Sequence, residues 1–203
     1  MDPQEHWNSI YQTKAVTEVS WFESEPQVST DLIKAVTPTS GSVIDIGGGA
    51  SRLVDSLLAA GYDSLTVLDI SAAALERAKA RLASDADRVT WRVANILETN
   101  DLGQFDVWHD RAVFHFLTAR ADRQTYVEKA SRSVRVGGHL IVGTFALDGP
   151  EKCSGLNVCR YDSAKLSDEF ASRFKLLREI SHTHVTPAGK QQQFIFCLFE
   201  HSP

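Results

Sequence analysis

Val43-Ile44-Asp45-Ile46-Gly47-Gly48-Gly49-Ala50-Ser51-Arg52 is the stretch that decides the fold. A short β-branched run, Ser42–Ile46, ends in three consecutive glycines, and Leu53, Val54, Leu57 and Leu58 then recur at helical spacing. A strand therefore turns sharply into a helix. The glycines leave backbone N–H groups open to a ligand, with no Cβ in the way. Gly61 stands where a C′ residue would close that helix.

The same rhythm continues outward. Leu65–Ile70 reads as a second strand, and Ser71 is placed to cap a helix with Leu75, Ala78 and Leu82 on its apolar face. Val89–Val93 and Phe105–Trp108 read as the third and fourth strands. Thr118 is a candidate cap for a helix carrying Tyr126, Val127, Ala130 and Val134, closed by Gly137-Gly138, and Leu140–Phe145 gives a fifth strand. A helix over Ser163–Ala171 precedes two extended runs, Leu176–Val185 and Gln191–Phe199. Thr186-Pro187-Ala188-Gly189-Lys190 joins these runs as a β-hairpin. Strand and helix alternate, which predicts an α/β chain with a doubly wound parallel sheet finished by an antiparallel C-terminal hairpin strand. The first forty residues look helical around Trp7–Thr13 and Val28–Val36, with Trp21-Phe22 between. They are expected to form a lid (1–40) on a core (41–203) within one domain.

Composition sets the outer bounds. A length of 203 residues suits one domain, with about 70% of the unfolded surface buried on folding. The excess of acidic over basic residues leaves a net charge of −5, so no nucleic-acid substrate is expected. Cys153, Cys159 and Cys197 have no C-x-x-C spacing, which fits a reducing compartment. The opening Met1-Asp2-Pro3-Gln4-Glu5 shows no leader-like pattern, and runs such as Phe194–Phe199 are too short for a bilayer. A cytoplasmic protein with no membrane partner is expected. No oligomeric state is indicated.

Two cofactor classes use a glycine-rich strand–helix turn. The dinucleotide fingerprint G-x-G-x-x-G wants a third glycine at position 52, where Arg52 stands, and does not require an acid at position 45. S-adenosylmethionine (SAM) carries a zwitterionic methionine end, which needs both N–H donors and an acceptor for its ammonium. Asp45 supplies that acceptor.

Asp45-Ile46-Gly47-Gly48-Gly49-Ala50-Ser51 resembles motif I of the class I SAM-dependent methyltransferases, and the likeness extends over nearly the whole chain. The resemblance implies a Rossmann-like, seven-stranded sheet and an enzyme that uses SAM and releases S-adenosylhomocysteine (SAH). It places Gly47, Gly48, Gly49, Ser51 and Arg52 in the cofactor loop, Asp69 at the ribose and Asn95 at the adenine amino group. Ile70, Ile96, Asp110 and Arg111 fall beside the cofactor in the same comparison. Val136-Gly137-Gly138-His139-Leu140 resembles the family's turn before the fifth strand. Two positions depart from the pattern. Ser51 replaces the third motif glycine but can still cap the helix. Asn95 replaces an aspartate but can still accept a hydrogen bond.

In such a sheet, ligands bind beyond the carboxyl ends of the strands. The acceptor should be framed by the N-terminal Trp/Tyr segment, His109–Leu117, Ala146–Tyr161 and the hairpin tip His182–Gln193. Methyl transfer is an in-line displacement that needs a desolvated, aligned nucleophile, with a base only if the nucleophile arrives protonated. His109-Asp110-Arg111-Ala112 stands where many N-methyltransferases carry an Asn/Asp-Pro-Pro-aromatic tetrad, which argues against DNA-base or glutamine methylation. His115, with Asp110 about one helical turn before it, is the candidate catalytic group. A structural histidine between Phe114 and Phe116 is the alternative. Tyr11 and Trp21 are candidates to close over the sulfonium, since aromatic faces attract cations; packing at the domain edge is the other reading. His182 and His184 share one face of a strand without a third ligand, so pocket lining is expected there and no metal.

The N-terminal His-Trp-x-x-x-Tyr and Val-Ser-Trp-Phe segments resemble two branches, small-molecule and thiol methyltransferases and lysine methyltransferases. The expected function is methylation of a small-molecule nucleophile, a thiol for example. Protein lysine N-methylation and non-catalytic SAM binding are the alternatives.

Overall fold

The structure is a computed structural model that describes residues 2–202; Met1 and Pro203, the outermost residues of the expected domain, lie outside the described residues. In chain order the elements are α1 (Pro3–Thr13), α2 (Gln27–Val36), β1 (Val43–Ile46), α3 (Leu53–Ala59), β2 (Leu65–Asp69), α4 (Ala72–Leu82), β3 (Val89–Val93) and β4 (Phe105–Arg111). There follow α5 (Arg120–Ser133), β5 (Val134–Phe145), a small hairpin of β6 (Lys152–Cys153) and β7 (Leu156–Asn157), α6 (Ser163–Phe170), β8 (Phe174–Val185) and β9 (Gln191–His201). A single 3-10 turn, Phe114–Phe116, follows β4.

Seven strands make one sheet in the order β3-β2-β1-β4-β5-β9-β8. The first five pair in parallel, and β9 runs antiparallel to both β5 and β8. This is the doubly wound, Rossmann-like sheet with an antiparallel hairpin that the sequence predicts. The order reverses at β1, which lies between β2 and β4. Ile46 at the end of β1 is therefore flanked by Leu68 on one side and Asp110 on the other. Such a switch point opens a crevice at the carboxyl ends of the strands.

Period-two alternation fills both faces of the sheet. Ile44, Ile46, Trp108, Leu140 and Val142 pack with Tyr126, Ala130, Leu166 and Phe170 of α5 and α6. Val43, Val107, Ile141 and Phe145 point the other way, onto Leu32 and Ile33 of α2 and Leu53 and Leu57 of α3. Helix α1 docks at the carboxyl edge instead. Asn8 Oδ1 accepts from Ser71 Oγ at 2.8 Å and from Ala73 N at 3.3 Å, and Gln4 Nε2 donates to the Ile70 carbonyl.

Two local expectations are corrected. The N-cap of α5 is Ala119, with no side-chain cap, so Thr118 does not fill that role. Gly137-Gly138 do not close the helix, because α5 has ended at Ser133 and Val134 already pairs with Phe105. The register then shifts before Val107 meets His139, and the glycines lie in that irregularity. A Cβ on Gly138 would stand 2.9 Å from the carbonyl oxygens of Arg135 and Asp106. Among the described residues no helix is long and apolar enough to cross a membrane.

Candidate functional site

A cavity of about 450 Å³ opens at the switch point. Gly47 from the β1 turn, Asp69 and Ile70 from the end of β2, and Asn95 and Ile96 beyond β3 line one side. Arg111 at the end of β4, Phe116, and Cys153 of the small hairpin line another. Trp7, Tyr11 and Trp21 form the roof. Trp7 meets Trp21 and Phe116 edge-on at 5.6 and 5.2 Å, and Trp21 Nε1 donates to Tyr11 Oη at 3.1 Å. A second cavity of about 50 Å³ adjoins it, lined by Asp45, Gly47, Gly48, Ser51 and Arg111 among others.

The glycine turn is shaped around two carboxylates. Gly49 has φ +42°, and a Cβ there would stand 2.7 Å from Asp69 Oδ2; a Cβ on Gly48 would meet Asp45 Oδ2 at 2.4 Å. Asp69 is buried and accepts from Ser71 N at 2.7 Å. Burial pushes its carboxyl up to about 7, and the neighbouring Asp45 adds to this, against the backbone hydrogen bonds from Ser71 and Gly49. Ser71 also caps α4, as expected, accepting from Ala74 N.

Asp45 is held from behind. Its Oδ1 lies 2.7 Å from His109 Nδ1, and His109 Nε2 lies 2.9 Å from Ser29 Oγ. A carboxylate can only accept, so Nδ1 is the donor to Asp45, and in the neutral imidazole Nε2 is left to accept from the serine hydroxyl. The sequence reading did not single out His109 or Ser29. They lie 64 and 80 residues apart from their partners, and only the parallel register of β1 with β4, setting Asp45 beside His109, brings the first pair together.

Arg111 donates to the Trp21 carbonyl and to Glu23 Oε1, each at 2.9 Å, and its guanidinium lies 4.9 Å from the Phe194 ring centroid. Its Nε has no partner. Burial pulls its pKa below the ordinary value, while Glu23 opposes that pull. Burial also pushes the Glu23 carboxyl upward, but the His184 hydrogen bond and the Arg111 charge outweigh it and leave the carboxyl below its usual range. His184 donates through Nε2 to the Ser20 carbonyl at 2.7 Å, and both His182 and His184 face Glu23. These histidines line neither cavity; they tie the N-terminal segment to β8.

Several expected site residues stand elsewhere. His115 is fully buried, lines neither cavity, and accepts the Phe145 N–H at 3.4 Å through Nδ1. Burial pulls its pKa down to about 3, with Arg111 adding to the pull, so the ring is neutral at neutral pH. Asp110 is also fully buried outside both cavities. It accepts from Val113 N, Phe114 N and Tyr126 Oη, and these bonds anchor the turn after β4. Arg52 is exposed and lines neither cavity. Tyr11, Trp21, Gly47, Asp69, Ile70, Asn95, Ile96 and Arg111 do line the main cavity. Asn95 Oδ1 accepts from Leu97 N, and its Nδ2 donates to Glu98. Trp7, Phe116 and Cys153 are cavity residues that the sequence reading did not name singly, though each lies in a segment expected to frame the acceptor. The His6-Trp7-x-x-x-Tyr11 spacing on one helix face was the available signal for Trp7.

The residues present fit SAM. Asp69 is a buried acceptor without a cationic partner among the described contacts, and Asp45 keeps one oxygen beside the glycine turn. Hydroxyl and ammonium donors are what such carboxylates take.

Residues 44–140 match the family described as "Methyltransferase domain". The chain is 24% identical to the human EEF1A lysine methyltransferase 2, over 96% of this chain and 84% of that protein. Among solved structures, one titled for conversion of a disulfide bond into a thioacetal group during echinomycin biosynthesis superposes with a TM-score of 0.79 at 18% identity. That match covers 98% of this chain and 93% of the other. The N-methyltransferase NodS from Bradyrhizobium japonicum WM9, complexed with SAH, superposes with a TM-score of 0.74 at 16% identity over the full length of both chains.

Proposed function

We propose a small, soft nucleophile, foremost a thiol, as the methyl acceptor of this chain, which is a class I SAM-dependent methyltransferase. Asp69 would hold the ribose hydroxyls, Asn95 with Ile70 and Ile96 the adenine, and Asp45 with the glycine turn the methionine ammonium. That leaves Trp7, Trp21, Phe116, Arg111 and Cys153 around the acceptor. When bound, SAM supplies an electrophilic methyl group on its sulfonium.

The observation that carries this reading is the character of the acceptor wall. Trp7, Trp21, Phe116 and the Cys153 thiol surround Arg111, whose partner Glu23 lies against the small cavity, and Asp122 is a further charged residue of the main cavity's lining. Aromatic walls exclude water and so raise the nucleophilicity of whatever enters. A cation at the wall favours an anion over an ammonium. A thiol, ordinarily titrating near 8.5, loses its proton to solvent readily, whereas a lysine amine near 10.4 needs more help. Burial pushes the Cys153 thiol up to about 12, which disfavours its own thiolate.

The 24% identity to EEF1A lysine methyltransferase 2 across nearly the whole chain favours a second reading, methylation of a protein lysine. Incubating the protein with methyl-labelled SAM and cell extract separates the two. Label in small, extractable thioethers supports the first reading, and label migrating with a protein band replaces it with the second.

A further inference from the structure

We propose that His109 is a positioning residue for cofactor recognition: it fixes the Asp45 carboxylate that receives the methionine ammonium, and Ser29 in turn fixes His109. The inference deepens the proposed function and rests on its assignment of Asp45.

The argument is geometric. Asp45, His109 and Ser29 are all buried, and they form one chain of hydrogen bonds, 2.7 and 2.9 Å long. Each comes from a different element, β1, β4 and α2. Asp45 Oδ1 is consumed by the imidazole, and Oδ2 is left beside Gly48 at the wall of the small cavity. Without the imidazole, the carboxylate could rotate away from that wall. With it, one oxygen is held where a ligand's amino group can reach, so the cost of ordering it is met before binding. The three groups have the connectivity of a serine–histidine–aspartate relay. Here Ser29 is 1% exposed within α2, and its hydroxyl meets the imidazole at the far end of the chain from Asp45, so it orients the ring; His109 and Ser29 line the small cavity along with Asp45. Ser29 also follows the segment that Arg111 and Glu23 anchor, so the relay runs from the roof's base to the cofactor loop.

The test compares SAH with 5′-methylthioadenosine, which shares the adenosine but lacks the amino-acid group. His109→Phe keeps the ring volume and deletes the donor. It should weaken SAH about tenfold or more while leaving 5′-methylthioadenosine within about threefold, since a hydrogen bond to a charged group carries roughly that weight. His109→Asn, which restores an N–H near Nδ1, should recover most of the loss. An unchanged ratio of the two affinities in whichever variant folds overturns the proposal, as does equal weakening of both ligands, which marks a merely structural role. Asp45→Asn separates the two levels. If it leaves the ratio unchanged, the Asp45 assignment itself fails. If it lowers the ratio and His109→Phe does not, only the positioning role fails.

Discussion

A methyl group on Gly49 would stand 2.7 Å from Oδ2 of Asp69, well inside contact distance, on a residue whose φ is +42°. The glycine turn and the end of β2 are thus built against each other. Gly49→Ala should displace the carboxylate or the turn, because neither the space nor the left-handed backbone suits a side chain. SAH affinity is expected to fall by about thirtyfold or more, measured by calorimetric titration. Binding within about threefold of the parent would show that the close approach has no functional weight.

Asp69 also sets a pH dependence. Its pKa in the folded protein lies at about 7, above the unfolded 3.8, so the native state holds an extra proton between those values. Its contribution to stability is fully present below about pH 4 and is lost as pH rises through 7. In the role proposed for Asp69, cofactor binding runs the other way, since accepting two ribose hydroxyls requires the ionised form. SAH affinity should rise from pH 5.5 to 7.5, by up to about tenfold per unit below the pKa. Titrations in buffers of different ionisation enthalpy should detect proton release. In Asp69→Asn both the slope and the release should vanish along with most of the affinity.

How much was legible beforehand follows a physical divide. Features encoded within a dozen residues were readable: the glycine turn, the Ser71 cap, Asp69 at a strand end, the alternation that builds the sheet. Features created by register across the sheet were not. Asp45 was assigned as an acceptor, yet its partner His109 is set by the pairing of β1 with β4. His115 carries the right chemistry at the right end of the sheet, but the 3-10 turn after β4 directs it into the core beside Phe145. Periodicity reports which residues are buried, not whether a buried polar group faces a cavity.

Asp110 supplies a test of that distinction. It accepts from two backbone N–H groups and from Tyr126, whose hydroxyl also receives Trp108 Nε1 at 2.8 Å. Asp110→Ala strands these buried donors, each at a cost of about 1–3 kcal/mol. At the low end of that range for three donors, the melting midpoint should fall by roughly 6–12 °C in a chain of this size. If the variant melts like the parent, Asp110 does not anchor the turn.

His115 should be dispensable for chemistry. His115→Phe is expected to retain methyl transfer within about threefold once an acceptor is in hand, because the ring neither lines the cavity nor protonates near neutrality. Its depressed pKa predicts stability that is present above about pH 6.5 and lost as pH falls towards 3. The variant should therefore melt with a weaker acid dependence over that range. A loss of turnover by a hundredfold with the fold intact would restore the histidine to the active site.

The antiparallel strand has a consequence for how this protein is made. Strand β9 is the last of the seven in the chain, yet it sits inside the sheet, between β5 and β8. While a ribosome works from Phe145 to His201, at about 5–20 residues per second, the apolar edge of β5 waits several seconds for its partner. The nascent chain then carries Leu140, Ile141 and Val142 on an unpaired edge, the kind of surface that recruits chaperones or a neighbouring chain. Shortfalls in yield on strong overexpression should trace to that interval, and weaker induction, which leaves fewer nascent chains to meet one another, should relieve them.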